Sequence, residues 1–191
     1  MALTTAQNTT LKNDVTALSQ PGQPLQALVA ASNWDGVADF YNTQASPDFL
    51  LWRSDAPVAD IFDAVDRSKY TPADVADATV TYTNRALAAQ TKMMSLDGML
   101  AGRTSLDATK ATIRVSLRDA TIAVPSGASG ALTAPGGASG VNVLTACTRK
   151  ANVVEKLLVS GAPVTTGTVS ASIPGFVGQI NGRDVLTAMQ S

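Results

Sequence analysis

The chain contains no histidine, and Cys147 is its only cysteine. A single thiol excludes a disulfide framework within the chain and fits synthesis in a reducing compartment. Zinc sites of the Cys/His type are excluded. Without imidazole, Cys147 and the many serines lack their usual catalytic base. Aromatic residues make up 5% of the 191 positions and charged residues 15%. Much of the surface therefore falls to Thr, Ser, Asn, Gln and Ala. A surface with few charges is poorly defended against association, which suits a protein packed among copies. The net charge of −1 predicts no bulk attraction to nucleic acid or membrane. No run approaches the ~20 apolar residues that cross a bilayer. The opening stretch, MALTTAQNTTLKND, has neither the basic start nor the apolar run of a secretory leader.

What is present is an ordinary apolar fraction, 45%, in a chain long enough for one domain with a real core and an arm. The pattern predicts a mainly α fold: an antiparallel helical bundle with a long central helix, a Gly-rich β-like loop and an extended C-terminal arm. Three parts are expected: an N-terminal helical segment over 1–45, a bundle core over 46–161 with the Gly-rich loop at 125–140, and the arm over 162–191. Leu3, Leu11, Val15 and Leu18 are loosely helical in spacing, and short helices are expected within 25–32 and 35–42. Residues 46–57 read as extended, anchored by Phe49, Leu50, Leu51 and Trp52, with Asp55 capping a helix to about Val65.

The clearest periodicity follows TPAD at 71–74, where Thr71 is an N-cap, Pro72 the first helical residue and Asp74 lies near the positive helix end. Val75, Thr79, Tyr82, Ala86, Ala89, Met93, Leu96 and Leu100 alternate gaps of four and three, an a/d seam that predicts one long helix ending at Gly102. Val80, Leu87 and Met94 form a second seam that broadens the apolar face. A second helix is expected over 105–123, on Leu106, Ile113, Leu117, Ala120 and Val124. A third is expected over 140–160, on Leu144, Cys147, Ala151, Val154 and Leu158. Beyond Gly161 the chemistry becomes that of strands, with Val169, Ala171 and Ile173 alternating, and NGRDVLTAMQ closes the sequence as a short helix.

Two near-copies of a hexapeptide, PSGASG at 125–130 and PGGASG at 135–140, raise the question of a phosphate site. A phosphate-cradling loop needs a lysine after its glycines and a strand before them. Neither is present, so the stretch reads as an interaction loop or a flexible connector between helices. Asp60, Asp63 and Asp66 step by three beside Arg67 and Lys69. They read as a solvated face rather than as a metal or acid–base site. Cys147 falls on an apolar helix position and reads as a small core residue.

Charge is distributed unevenly. Nine aspartates face three basic residues between 33 and 78, and nine basic residues face four acids between 85 and 156. Complementary halves suit intrachain pairing or head-to-tail subunit contact. Lys110, Arg114 and Arg118 step by four and are expected to form one basic stripe, off the apolar seam, facing a subunit or a DNA channel. Val169, Ile173, Phe176 and Ile180 are the expected anchors of the arm.

Several stretches together resemble structural proteins of tailed bacteriophages encoded among head and neck genes. They are FLLWRSDAPV (49–58), YTPADVADATVTYTNRALAAQTKMMSLDGMLAG (70–102), IRVSLRDATIAVPSGASGA (113–131), LTACTRKANVVEKLL (144–158) and GFVGQI (175–180). The most similar architecture is the head–tail adaptor, or connector, that docks on the portal ring. The resemblance implies a non-enzymatic virion protein of the neck, made in the host bacterial cytoplasm, with no catalytic residue, cofactor or metal. It implies a homo-oligomer, a dodecameric ring, between the portal protein and a downstream tail protein. DNA would pass through without specific binding, and no membrane would be involved. Capsid decoration (cement) or tail completion is the alternative role.

Overall fold

The computed structural model describes residues 2–70, 82–121, 124–125, 132–133 and 143–191. In chain order these carry α1 (Thr5–Leu18), α2 (Gln26–Ala30), α3 (Trp34–Asn42), β1 (Leu50–Trp52), β2 (Ala56–Pro57), α4 (Val58–Asp63) and a 3-10 turn, Arg67–Tyr70. There follow α5 (Tyr82–Leu100), β3 (Ser105–Leu106), α6 (Ala111–Thr121), β4 (Val124–Pro125) and β5 (Leu132–Thr133). The last elements are α7 (Val143–Ala146), β6 (Thr148–Lys150), α8 (Val153–Leu157), β7 (Val164–Thr166), β8 (Val169–Ala171) and α9 (Gly182–Gln190). Among the described residues the strands form two-stranded sheets, β1 with β6, β2 with β3, β4 with β5 and β7 with β8. The protein is thus helix-rich with small sheets. It divides into two compact units, the first made of Met1–Leu51, Lys150–Val164 and Ala171–Ser191, the second of Trp52–Arg149 and Thr165–Ser170.

The first unit is built on α1, α3, α8 and α9. Apolar residues at helical spacing, Leu11 and Val15 of α1 and Val37 and Tyr41 of α3, meet Val154, Leu158, Phe176, Ile180 and Val185 in one buried cluster. Each such side chain contributes about 1.5–3 kcal/mol relative to exposure. Polar caps fix the helix starts. Thr4 and Gln7 form a capping box on α1, Asn152 and Glu155 on α8, and Asn181 and Asp184 on α9. The same caps also tie distant segments together. The Gln7 amide donates to the Gly175 carbonyl at 2.8 Å, the Gly178 amide donates to Glu155 Oε1 at 3.0 Å, and Asn42 exchanges two hydrogen bonds with the Ile180 backbone.

The second unit centres on the packing of α5 against α6, with α7 against α6 and α4. The expected seam of α5 is realised where it is described: Ala89, Leu96 and Leu100 are buried, and Ala86 and Met93 are half-buried. The helix stops at Gly102, as expected, in a left-handed conformation at φ +68° that favours glycine. Leu117 and Ala120 of α6 are buried, and the Tyr70 hydroxyl donates to the Ala120 carbonyl at 2.9 Å.

Several expectations are corrected. The helix expected over 105–123 begins at Ala111, because Ser105–Leu106 pairs antiparallel with Ala56–Pro57 instead. That pairing also displaces Asp55 as a cap: Pro57 occupies the N-cap position of α4. The helix expected over 140–160 is α7, β6 and α8 in succession. Leu144, Cys147, Ala151, Val154 and Leu158 are all buried, so the apolar spacing was real. The backbone between them is drawn out: the Arg53 amide donates to Cys147 O and the Ala151 amide to Phe49 O. The extended arm expected over 162–191 is a strand pair, a loop and α9, with Phe176, Ile180, Val185 and Ala188 inside the first unit's core. Its apolar anchors are covered by the chain itself. The start expected for the long helix, with Thr71, Pro72, Asp74, Val75, Thr79 and Val80, lies outside the described residues, as does most of the Gly-rich stretch. Within that stretch Val124–Pro125 pairs antiparallel with Leu132–Thr133.

Candidate functional site

The three basic residues of α6 fall into three different environments. Lys110 is exposed and sits 3.4 Å from Asp107. Arg114 is only 2% exposed. Its Nη1 donates to the carbonyls of Ala108 and Thr109, both at 2.7 Å, and its Nε to the Thr166 hydroxyl at 3.2 Å. The guanidinium stands 5.0 Å from the centre of the Trp52 ring. Every partner here is neutral, and burial holds the pKa of Arg114 below the ordinary arginine value. Arg118 is half-buried, and its Nε is buried without a hydrogen-bond partner, against the open face of Gly167. The expected exposed stripe is therefore not continuous. Arg114 fastens α6 to the loop at 108–109 and to Thr166, a structural role that charge spacing alone disguises.

The expected arm anchors are also accounted for within the chain. Val169, Phe176 and Ile180 are buried, and Ile173 is half-buried with its carbonyl accepting from the Ser160 amide at 2.9 Å.

Among the described residues the carboxylates form no metal-holding cluster and meet basic or hydroxyl partners instead. Asp55 and Asp60 each lie 3.4 Å from Arg53, and Asp66 accepts from Ser68 beside Lys69. The Ser68 hydroxyl, against a smaller opposing effect of burial, keeps the Asp66 carboxyl below the usual range. Asp48 and Lys150 meet at 2.7 Å, and this contact lowers the Asp48 pKa. This is one intrachain pairing across the two oppositely charged stretches. The Cys147 thiol is fully buried, and burial pushes its pKa up to about 12 against the opposing influence of Arg53. A thiol so placed is almost wholly protonated at neutral pH and is a core group, as its position in the sequence suggests.

Two surface grooves are present among the described residues. One, about 260 Å³, runs in the first unit between Ala6, Gln7 and Thr10 of α1 and residues 157–160. The other, about 320 Å³, lies in the second unit between α5 and α6, lined by Thr91, Lys92, Ser95, Ser116, Asp119 and Ala120. Beside it α5 carries, of the described residues, the two most exposed large apolar ones, Leu87 at 63% and Met94 at 72%. The sequence pattern places both in a second seam that broadens the apolar face. Ala89, Leu96 and Leu100 already fill the buried seam, and Leu87 and Met94 are displaced from it around the helix.

The arrangement offers two exposed apolar side chains, a groove lined by hydroxyls and by Lys92 and Asp119, and a deeply placed cation with neutral partners. Among the described residues no cluster would hold a metal. No helix of the described chain is long and apolar enough to cross a membrane. No family model matches the sequence, and neither a curated protein nor a solved structure matches it.

Proposed function

We propose that the chain is a non-enzymatic structural protein of a tailed-bacteriophage particle, acting as a head–tail adaptor: a ring of copies docked on the portal protein, continuing the DNA channel toward a downstream tail protein. The observation that carries this reading is the exposed pair Leu87 and Met94 on a 19-residue helix. Isolated surface leucines are commonplace, but two large apolar side chains a heptad apart on one helix support an assembly role. The low charge content and the phage-like phrasing of five sequence stretches support the same reading. DNA passage requires no strong phosphate grip, which agrees with a chain whose Arg114 is spent on its own backbone. A second reading, capsid decoration or tail completion, draws on the antiparallel β4–β5 pair as a contact for a capsid surface.

The purified chain should give ring-shaped class averages in negative stain and a closed oligomer in native mass spectrometry. Antibody labelling of particles should mark a single vertex. Label over the whole capsid surface would select the decoration role, and a monomer at every concentration would remove the ring.

A further inference from the structure

We propose that Asn181–Gly182, where α9 begins, is a self-modification site: the pair deamidates through a cyclic imide when the helix cap opens, and the isoaspartate that results can no longer hold α9 in the first unit's core. Two separate demands of the fold put these residues side by side. The Asn181 side chain caps α9, its Oδ1 accepting from the Arg183 amide at 2.9 Å and from the Asp184 amide at 3.0 Å. The Asn181 amide in turn donates to Asp184 Oδ2 at 3.0 Å. Gly182 is buried against α3, where a Cβ would lie 2.2 Å from Asp35 Oδ1 and 2.9 Å from the Asp35 nitrogen. Position 181 therefore needs a short capping side chain, and position 182 needs glycine. Asn181 is the one asparagine of the sequence that precedes glycine.

The chemistry consumes only water. The Gly182 backbone nitrogen, unhindered by a side chain of its own, bonds to Asn181 Cγ and gives up its proton. The Cγ–Nδ2 bond breaks and ammonia leaves. Water then opens the five-membered imide at Cγ, giving aspartate, or at the main-chain carbonyl carbon of residue 181, giving isoaspartate. Asn181 is exposed, so water reaches it. The closed cap prevents the first step. Ring closure needs χ1 to leave its staggered well and ψ to leave 173°, and these rotations pull Oδ1 away from its two amides. The two products differ in the main chain. Aspartate keeps the capping oxygen, whereas isoaspartate routes the chain through Cβ and Cγ and lengthens it by one carbon. Neither neighbour has slack for that carbon. The Ile180 amide donates to Asn42 Oδ1 at 3.0 Å and the Ile180 carbonyl accepts from Asn42 Nδ2 at 2.7 Å, while Gly182 is pressed against Asp35. Asn42 and Asp35 both belong to α3. The longer link keeps only one of these anchors, and α9 leaves the core with Val185 and Ala188.

An internal control is present. Asn152 caps α8 through the same kind of capping box, but Val153 follows it, and a β-branched side chain hinders the attack. The test ages the full chain in mildly alkaline buffer, native and in urea, and follows amide-to-acid conversion by peptide mass spectrometry. An Asp-specific protease, which does not cut at isoaspartate, separates the products. In urea Asn181 should convert about tenfold or more faster than Asn152, and Gly182→Ala should slow it. In the native chain conversion at Asn181 should be about tenfold or more slower than in urea. Asp184→Ala, which removes the acceptor for the Asn181 amide, should raise the native rate and leave the rate in urea unchanged. Returned to native buffer, the isoaspartyl chain should show unprotected α9 amides in hydrogen exchange, whereas Asn181→Asp should keep them protected. No conversion at Asn181 in urea overturns the site. Equal native and urea rates, or a native rate untouched by Asp184→Ala, overturn the cap as the gate. Protected α9 amides in the isoaspartyl chain overturn the release.

Discussion

The first unit gathers most of its apolar residues into one buried cluster and exposes Leu50, Val164 and Val177 by less than half, whereas the second leaves Leu87 at 63% and Met94 at 72% exposed while enclosing a cation, Arg114. The closures differ in kind. In the first, side chains that cap helices also hold remote backbone, as Gln7 does with Gly175 and Glu155 with Gly178. Its specificity comes from polar groups with two duties apiece, laid over a continuous apolar cluster. In the second, one guanidinium supplies three hydrogen bonds to neutral acceptors and stands over an indole. A buried arginine without a carboxylate gains less from Coulomb attraction than an ion pair, so its hold depends on geometry. The contrast teaches that exposed apolar area and buried charge need not be signs of a poor fold. Here the exposed pair stands on α5, and the buried cation ties α6 to the chain's own backbone.

The sharpest way to break the comparison is to remove residues 171–191. This takes Phe176, Ile180, Val185 and Ala188 out of the first unit's core. Loss of cooperative thermal unfolding and of much of the helical circular dichroism is expected. Retention of a native-like melt would show that the segment is dispensable. Next in size is Arg114→Glu, which sets a carboxylate against the Ala108 and Thr109 carbonyls. It should cost about 3–5 kcal/mol in urea unfolding, with Arg114→Met costing less because it keeps the packing against Trp52. Equal melts for wild type and Arg114→Glu would contradict the enclosed position. In the first unit, Gly175→Ala places a Cβ against the Leu158 carbonyl oxygen, which is backbone and yields little. A loss of about 1–3 kcal/mol is expected, while Gly98→Ala in the second unit meets open space and should be neutral or slightly stabilising.

A further difference is read as a response to alkali. Burial raises the Cys147 thiol from 9.0 to about 12 and the Tyr70 hydroxyl from 10.0 to about 12. The folded state keeps these protons after the unfolded chain has released them, so it binds more protons than the unfolded chain. Stability is therefore full below pH 9 and falls as pH rises from 9 toward 12, by at most about 1.4 kcal/mol per pH unit for each group. Tyr41 in the first unit is raised in the same direction, by burial first and by Asp14 second. Cys147→Ala should delay the onset of the decline by about one pH unit, to where the tyrosines begin to titrate, as read from urea midpoints between pH 8 and 11. An unchanged onset would exclude the thiol as its source.

Much of the local structure was legible and the reasons are specific. α1, α3 and the end of α5 follow directly from apolar spacing and from Gly102. The five apolar positions from Leu144 to Leu158 were identified as buried, yet a three-four spacing cannot reveal that residues 148–150 pair as a strand. The pattern Asn152-x-x-Glu155 was the available sign that a helix starts afresh there. Arg114 was misplaced because its acceptors are backbone carbonyls, which no residue pattern displays. The exposure of Leu87 and Met94 depended on how wide a face α6 covers, a tertiary quantity.

The membership of Thr165–Ser170 in the second unit, between flanks that belong to the first, bears on inheritance. No single breakpoint in the coding sequence separates one unit from the other. A single crossover that exchanged one half of the gene would deliver two incomplete cores.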